Sequence, residues 1–300
     1  MELRQLRQVI VLAETLNFSR AAERLHMTQP PLSTSIKKLE EELGVILFER
    51  LNSGLKLTAA GVAVVHHARR TLFCAEELVR AGREGASGEQ GELRIGFVGS
   101  ATYSLMPQII RAFRRQYPRV DIVIDESTTV ELLRRLETHA IDVALVRVPV
   151  VEPTTAELTM LRRERVMAAV SADSRFAHRR SVSLAELAEE PLITYSPSRV
   201  PGMYSFIMLA FAEAGVQPRI AQQAVQVQQF VGLVESGLGV AFIPASGGKY
   251  TGDGVRLLRI DPEPVAFRVG LALACLPDAM TPTARNFIAL AKGTVSESPV

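Results

Sequence analysis

The chain has 300 residues, 47% of them hydrophobic, with 34 Lys and Arg against 32 Asp and Glu for a net charge of +2. That length and composition suit about two domains with ordinary cores, and the near balance of charge excludes a global polycation. The chain opens on a charged amphipathic stretch rather than an apolar leader, and no window holds the roughly 18 uninterrupted apolar residues of a membrane helix. A cytoplasmic protein with no membrane partner is therefore expected.

Leu3, Leu6, Val9, Ile10 and Ala13 predict a first amphipathic helix that ends before Asn17. A short second helix follows, with Ser19 as its cap, Glu23 completing a capping pattern, and Ala21, Ala22 and Leu25 facing inward. The third helix starts at Thr28 as N-cap, tolerates Pro30 and Pro31 in its first turn, and carries Leu32, Ile36, Leu39 and Leu43 as a buried stripe. Its opposite face presents Gln29, Ser33, Thr34 and Lys37, hydrogen-bonding side chains crowded at the end that a recognition helix points into a groove. Val45 to Phe48 and Leu55 to Leu57 flank the turn signal Asn52-Ser53-Gly54, a small hairpin wing whose cations are Arg50 and Lys56. Residues 1 to 60 carry eight Lys or Arg against seven Glu, so DNA affinity must depend on where the cations sit.

From MELRQLRQVIVLAETLNFSRAAERL through TQPPLSTSIKKLEEELG to LFER and LTAAG, residues 1 to 61 resemble the winged helix-turn-helix of the LysR-type transcriptional regulators. The resemblance implies a DNA-binding set of Ser19, Thr28, Gln29, Pro30, Ser33, Thr34, Lys37, Arg50 and Lys56, with double-stranded promoter DNA and RNA polymerase as partners. Family members often carry Arg at position 34 and near position 53, where Thr34 and Ser53 stand here. A short hydroxyl lacks the bidentate guanine contact of an arginine, so a different base preference is expected at that step.

Thr58 caps a long helix expected to reach about Ala81. Its seam of Val62, Val65, Ala68, Leu72, Ala75 and Val79 reads as coiled-coil-like and favours a second copy of the chain, a homodimer that pairs into a homotetramer. The four glycines of Gly82 to Gly91 mark a hinge. From Glu92 a new pattern begins, with LRIGFV, VDIVI and VALV as buried strands separated by helices, a βαβαβ order that predicts a parallel-sheet α/β domain. A second block follows from Val166 with the strands LITY and VAFIP, then a late strand at Arg268 to Cys275 and a closing helix. Two such lobes resemble the periplasmic-binding-protein-like effector domain of the same family. The expected layout is thus 1–58 DNA-binding, 59–91 linker, 92–292 effector domain and 293–300 tail. Within the effector domain, lobe I takes 92–161 and 269–292 and lobe II takes 162–268.

Ligands of open α/β sheets sit beyond the carboxyl ends of strands, where helix N-termini offer amides to anions. Ser100, Ala101 and Thr102 follow the first strand, Thr128 and Thr129 the second, and Arg147 the third, a set suited to a carboxylate. Pro201, Met203 and Phe206 of lobe II supply an apolar wall. These stretches look most like the subgroup that answers muconate and related products of aromatic-ring breakdown, which implies a small organic acid as effector and no cofactor. Cys74 and Cys275 lack metal-ligand or C-x-x-C spacing, so reduced thiols are expected, with a redox-responsive regulator as the alternative. No G-x-S-x-G, phosphate loop or metal cluster points to an enzyme. A solute-binding transport protein would account for residues 92 to 292 but not for the first 61.

Overall fold

The computed structural model describes residues 1–51, 54–84 and 87–296, in two compact units, Met1–Gly85 and Ala86–Val300.

In the first unit, α1 (Leu3–Thr15), α2 (Phe18–Arg24) and α3 (Gln29–Leu43) pack around Leu6, Val9, Leu12, Ala21, Ala22, Leu32, Ile36 and Leu39. A fully buried Leu such as Leu12, Leu32 or Leu39 contributes about 1.5–3 kcal/mol. The stripe is shorter than its periodicity predicts, because Leu3 and Leu43 at the helix ends are 45% and 38% exposed. The cap of α2 is Asn17, whose side chain accepts from the amides of Ser19 and Arg20, not Ser19. Thr28 has the extended backbone of an N-cap, but its hydroxyl makes no capping bond. Gln8, buried, joins the helices by accepting from the Ser35 hydroxyl and donating to Met27 Sδ. Glu14 holds Arg24 and Arg69 at 2.8 Å each, tying α1 to α2 and to α4.

The wing pairs β1 (Phe48–Leu51) antiparallel with β2 (Gly54–Leu57). Val45 and Ile46 precede it as exposed, non-strand residues, because Glu40 starts the hairpin by accepting the Leu47 and Phe48 amides at 2.7 and 3.1 Å. Thr58 caps α4 (Ala59–Glu84) as expected, accepting from the Gly61 amide at 2.9 Å. The helix continues through Gly82 to Glu84 and the strand that follows takes in Gln90 and Gly91, so both ends of the segment expected as hinge are regular structure, while Gly85 and Ala86 within it lie outside the described residues. The seam also divides. Ala68 and Leu72 pack on the unit's own core, whereas Val62 and Val79 of the seam are 58% and 51% exposed, as is Leu78 beside it at 75%.

The second unit is one continuous sheet shared by two lobes. In lobe I, β3 (Gln90–Phe97) lies parallel between β4 (Arg119–Glu126) and β5 (Val143–Val148), with α5 (Met106–Gln116) and α6 (Thr129–Glu137) as crossovers. In lobe II, β8 (Pro191–Tyr195) lies parallel between β9 (Arg219–Ala224) and β10 (Val240–Pro244). Helix α7 (Leu184–Ala188) leads into β8, and α8 (Pro201–Glu213) and α9 (Val227–Glu235) connect β8 to β9 and β9 to β10. Two strands carry the chain between lobes. The 15-residue β6 (Glu157–Ser171) pairs through 157–165 with β12 (Arg268–Cys275), and through 166–171 with β10 and β11 (Val255–Ile260). Leu161 accordingly belongs to the lobe I core and Val166 to the lobe II core.

The first half of β6 and all of β11 go unmarked in the sequence reading, since Arg162 to Arg165 resembles a solvated charge run. β11 also pairs with the two-residue β7 (Ser181–Val182), and α10 (Pro282–Ser296) closes lobe I beside α5. Gly239, which links α9 to β10, has φ +156°, and a Cβ there would stand 2.1 Å from the Pro191 carbonyl oxygen. Among the described residues no helix is long and apolar enough to cross a membrane, and no group of His, Cys, Asp or Glu is placed to hold a metal.

Candidate functional sites

In the first unit the outer face of α3 exposes Gln29, Pro30, Pro31, Thr34, Lys37 and Lys38, with Ser33 half-buried. Ser19 Oγ donates to Gln29 Oε1 at 3.1 Å, so the first turns of α2 and α3 are tied together. Thr34 Oγ1 donates to the Pro30 carbonyl at 3.1 Å, which leaves its methyl and acceptor lone pairs outward. Lys37 lies 3.7 Å from Glu41, with both exposed, a pair worth little and easily exchanged for a phosphate. On the wing, Lys56 is exposed and stands opposite Glu49. Ser53 and the side chain of Arg50 lie outside the described residues. Hydrogen-bonding side chains on one helix end, with a cation on an adjacent hairpin, form a surface that can read base edges and hold backbone phosphate.

The second unit has a cleft between its lobes, with a volume of about 50 Å³ and a smaller annex of about 20 Å³. Lobe I supplies Gly99, Ser100, Ser127, Thr128, Thr129 and Arg147, and lobe II supplies Tyr195, Val200, Met203, Gln226, Val227 and Pro244. The N-termini of α6 and α9 both open on this space. Thr128 caps α6 by accepting from the Glu131 amide at 3.4 Å, and Gln229 Oε1 accepts the Val225 and Gln226 amides at the start of α9. Two helix ends of partial positive charge facing one small volume favour an anion there.

Arg147 is 8% exposed and is held from three sides. Its Nη2 donates to Ser100 Oγ at 2.5 Å, its Nη1 to Glu164 Oε2 at 3.1 Å, and its backbone amide to Thr129 Oγ1 at 3.1 Å. Glu164 Oε2 also accepts from Ser246 Oγ at 2.9 Å, whereas Glu164 Oε1 is buried without a hydrogen-bond partner. Lobe I and lobe II are thus joined through one carboxylate. Burial pushes the Tyr195 phenol above its usual value, opposed by the Arg147 charge, so the hydroxyl stays protonated beside the guanidinium.

Of the residues expected at the site, Ser100, Thr128, Thr129, Arg147 and Met203 line the cleft, and Pro201 lines the annex. Ala101 is instead fully buried in the lobe I core, its amide bonded to the Val98 carbonyl. Thr102 is exposed, and Phe206 lies outside the lining of both cavities because Met203 and Pro201 occupy the cleft-facing side of α8. The sequence reading passes over Glu164, Tyr195, Gln226 and Ser246. LITY could have pointed to Tyr195, because it closes a strand at the carboxyl end; the other three have no local signal. Cys74 is exposed on α4, while Cys275 is buried and its thiol is pushed up by that burial and by Glu157, the reverse of what makes a reactive thiolate.

Residues 86–296 match the family described as LysR substrate binding domain, and residues 3–62 match the bacterial regulatory helix-turn-helix protein, lysR family. The chain belongs to the LysR family of transcriptional regulators. These LysR proteins are DNA-binding regulators with a substrate-binding domain, not enzymes. The chain is 34% identical over 288 residues to the HTH-type transcriptional regulator AlsR of Bacillus subtilis (strain 168), covering 96% of this chain and 94% of that one. It is 35% identical over 248 residues to the HTH-type transcriptional regulator BenM of Acinetobacter baylyi, covering 82% and 81%. The crystal structure of full-length CbnR complexed with its target DNA aligns with a TM-score of 0.59 at 28% identity, covering 98% of this chain and 100% of that one.

Proposed function

We propose that this LysR regulator binds promoter DNA as a homodimer that pairs into a tetramer, and that a small organic acid in the interlobe cleft controls its action on RNA polymerase. Gln29, Thr28, Pro30, Ser33, Thr34 and Lys37 enter the major groove beside Ser19, while Arg50 and Lys56 hold the backbone. The observation that carries the effector reading is the buried Arg147 guanidinium, set among the Ser100, Thr128 and Thr129 hydroxyls between two helix N-termini. Arg147 offers five N–H groups, of which two are engaged, so it can receive a carboxylate without surrendering Glu164. The acid shifts the balance between lobe geometries only by binding one more tightly than the other. Resemblance of the cleft stretches to the muconate subgroup supports an aromatic-degradation intermediate.

The test is thermal shift against organic acids, since a binder raises the melting temperature by mass action. Arg147→Met alone would strand the Glu164 carboxylate in the interior and confound the result. The double variant Arg147→Met, Glu164→Gln avoids this. It is expected to lose the acid-induced shift while binding operator within a few-fold of the parent; an undiminished shift would remove Arg147 from the site.

A further inference from the structure

We propose that lobe II carries a second ligand site, for an organic phosphate, in a groove formed where β6, β7 and β11 meet. The groove has a volume of about 700 Å³, within the roughly 300–1,000 Å³ of small-molecule sites. It is a different place from the interlobe cleft, and no residue lines both. Successive side chains of a strand alternate, so Arg165 and Met167 stand on one face of β6 and Glu164, the partner of Arg147, on the other.

Met167 and Leu257 give the groove apolar wall, and Arg179, Arg180 and Arg259 give it cations. Strand pairing holds the last two side by side. Arg259 is in register with Ser181, and its amide donates to the Arg180 carbonyl at 3.1 Å. Glu186 engages Arg179, and Glu263 engages Arg165 at 3.4 Å, but among the described residues Arg180 and Arg259 form no ion pair. Arg268, directly opposite Arg165 across the ladder, adds a further like charge. Neighbouring guanidiniums without counterions repel each other, and a dianion that both can fork relieves the repulsion. A phosphoryl group suits them better than a carboxylate, since it brings up to two charges and three acceptor oxygens. Asp261 lines the same groove two residues beyond Arg259, which disfavours further negative charge on the ligand. Its carboxylate and the Ser181 hydroxyl can instead hydrogen-bond hydroxyl groups of the body. The ligand is thus a phosphate monoester with a neutral, partly apolar body, its phosphoryl group between Arg180 and Arg259.

The experiment is isothermal titration of the full chain with inorganic phosphate, glycerol 3-phosphate and phenyl phosphate. The expected result is saturable binding of at least one ester, at least tenfold tighter than inorganic phosphate. Arg180→Gln combined with Arg259→Gln, both at exposed positions, is expected to weaken that binding at least tenfold. Two controls are expected to keep it: Arg111→Gln with Arg114→Gln, which removes the same charge from the exposed face of α5, and Arg147→Met with Glu164→Gln in the cleft. Failure of both esters to bind, or unchanged affinity in the Arg180 and Arg259 variant, overturns the site. Esters no tighter than inorganic phosphate would mean an adventitious ion only, and overturn it as well. Equal loss in the α5 variant would reduce the effect to general attraction by the unit, and loss in the cleft variant would move the phosphate to the cleft; either result overturns the proposal and leaves the effector reading standing.

Discussion

Gln29 is oriented before DNA arrives. With its Oε1 engaged by the Ser19 hydroxyl, the amide presents its N–H₂ side from the first turn of α3. Gln29→Ala is expected to lower specific binding by about 1–3 kcal/mol and to relax preference at one base pair. Ser19→Ala should relax the same position by less, because it removes the brace and leaves the reader. Binding measured across an operator library checks both, and equal loss on random DNA would assign Gln29 to helix support alone. Residues of this kind are legible from sequence, because the groove-facing and core-facing positions of a short capped helix follow from its period. Arg147 was legible for a similar reason, as the residue at the carboxyl end of a buried strand. Its partner Glu164 was not. It sits in the run LRRERV, which reads as solvated, and only the exchange of strand partners within β6 buries it.

At the scale of elements, Gly61 shows why α4 and the wing fit together. A Cβ at this position would meet the Leu47 carbonyl oxygen at 2.2 Å and Leu57 Cδ2 at 2.7 Å, so the first turn of α4 presses directly on the backbone entering β1. Gly61→Ala is expected to destabilise the DNA-binding unit by at least 1–3 kcal/mol through overpacking. Reduced operator affinity with unchanged response of the effector domain to ligand would be its signature, measured by denaturant melts and fluorescence anisotropy. On α7, Glu186 is held at about 2, well below 4.5, chiefly by the Ser183 backbone amide, then by Arg179 and the Ser183 hydroxyl. Because its folded value is depressed, its contribution is fully present above about pH 4.5 and is lost as pH falls toward 2. Glu186→Gln should therefore flatten the fall in melting temperature between pH 5 and pH 3, and an unaltered slope would assign the acid limb to other carboxylates. Helices and parallel strands were readable because their apolar periods are local. β11 and the first half of β6 were not, because their partners lie far away in the chain and their exposed faces are charged.

For the whole molecule, the exposed Leu78 and Val79 on α4 leave apolar surface that the unit itself does not cover. Leu78→Lys is expected to shift the sedimentation profile toward monomer at concentrations where the parent is dimeric; an unchanged profile would move the pairing seam elsewhere on the helix. In the effector unit, the junction between lobes lies one residue beyond Glu164, where β6 changes partners between Arg165 and Val166. A force applied that close to a pivot works on a short lever arm. The outer strands β4 and β9 stand at opposite ends of the sheet, on long arms of the same pivot. A turn of the lobes about this junction would carry those edges several-fold farther than the residues beside Glu164, so a comparison of free and acid-bound protein would read it best as a change in the distance from β4 to β9.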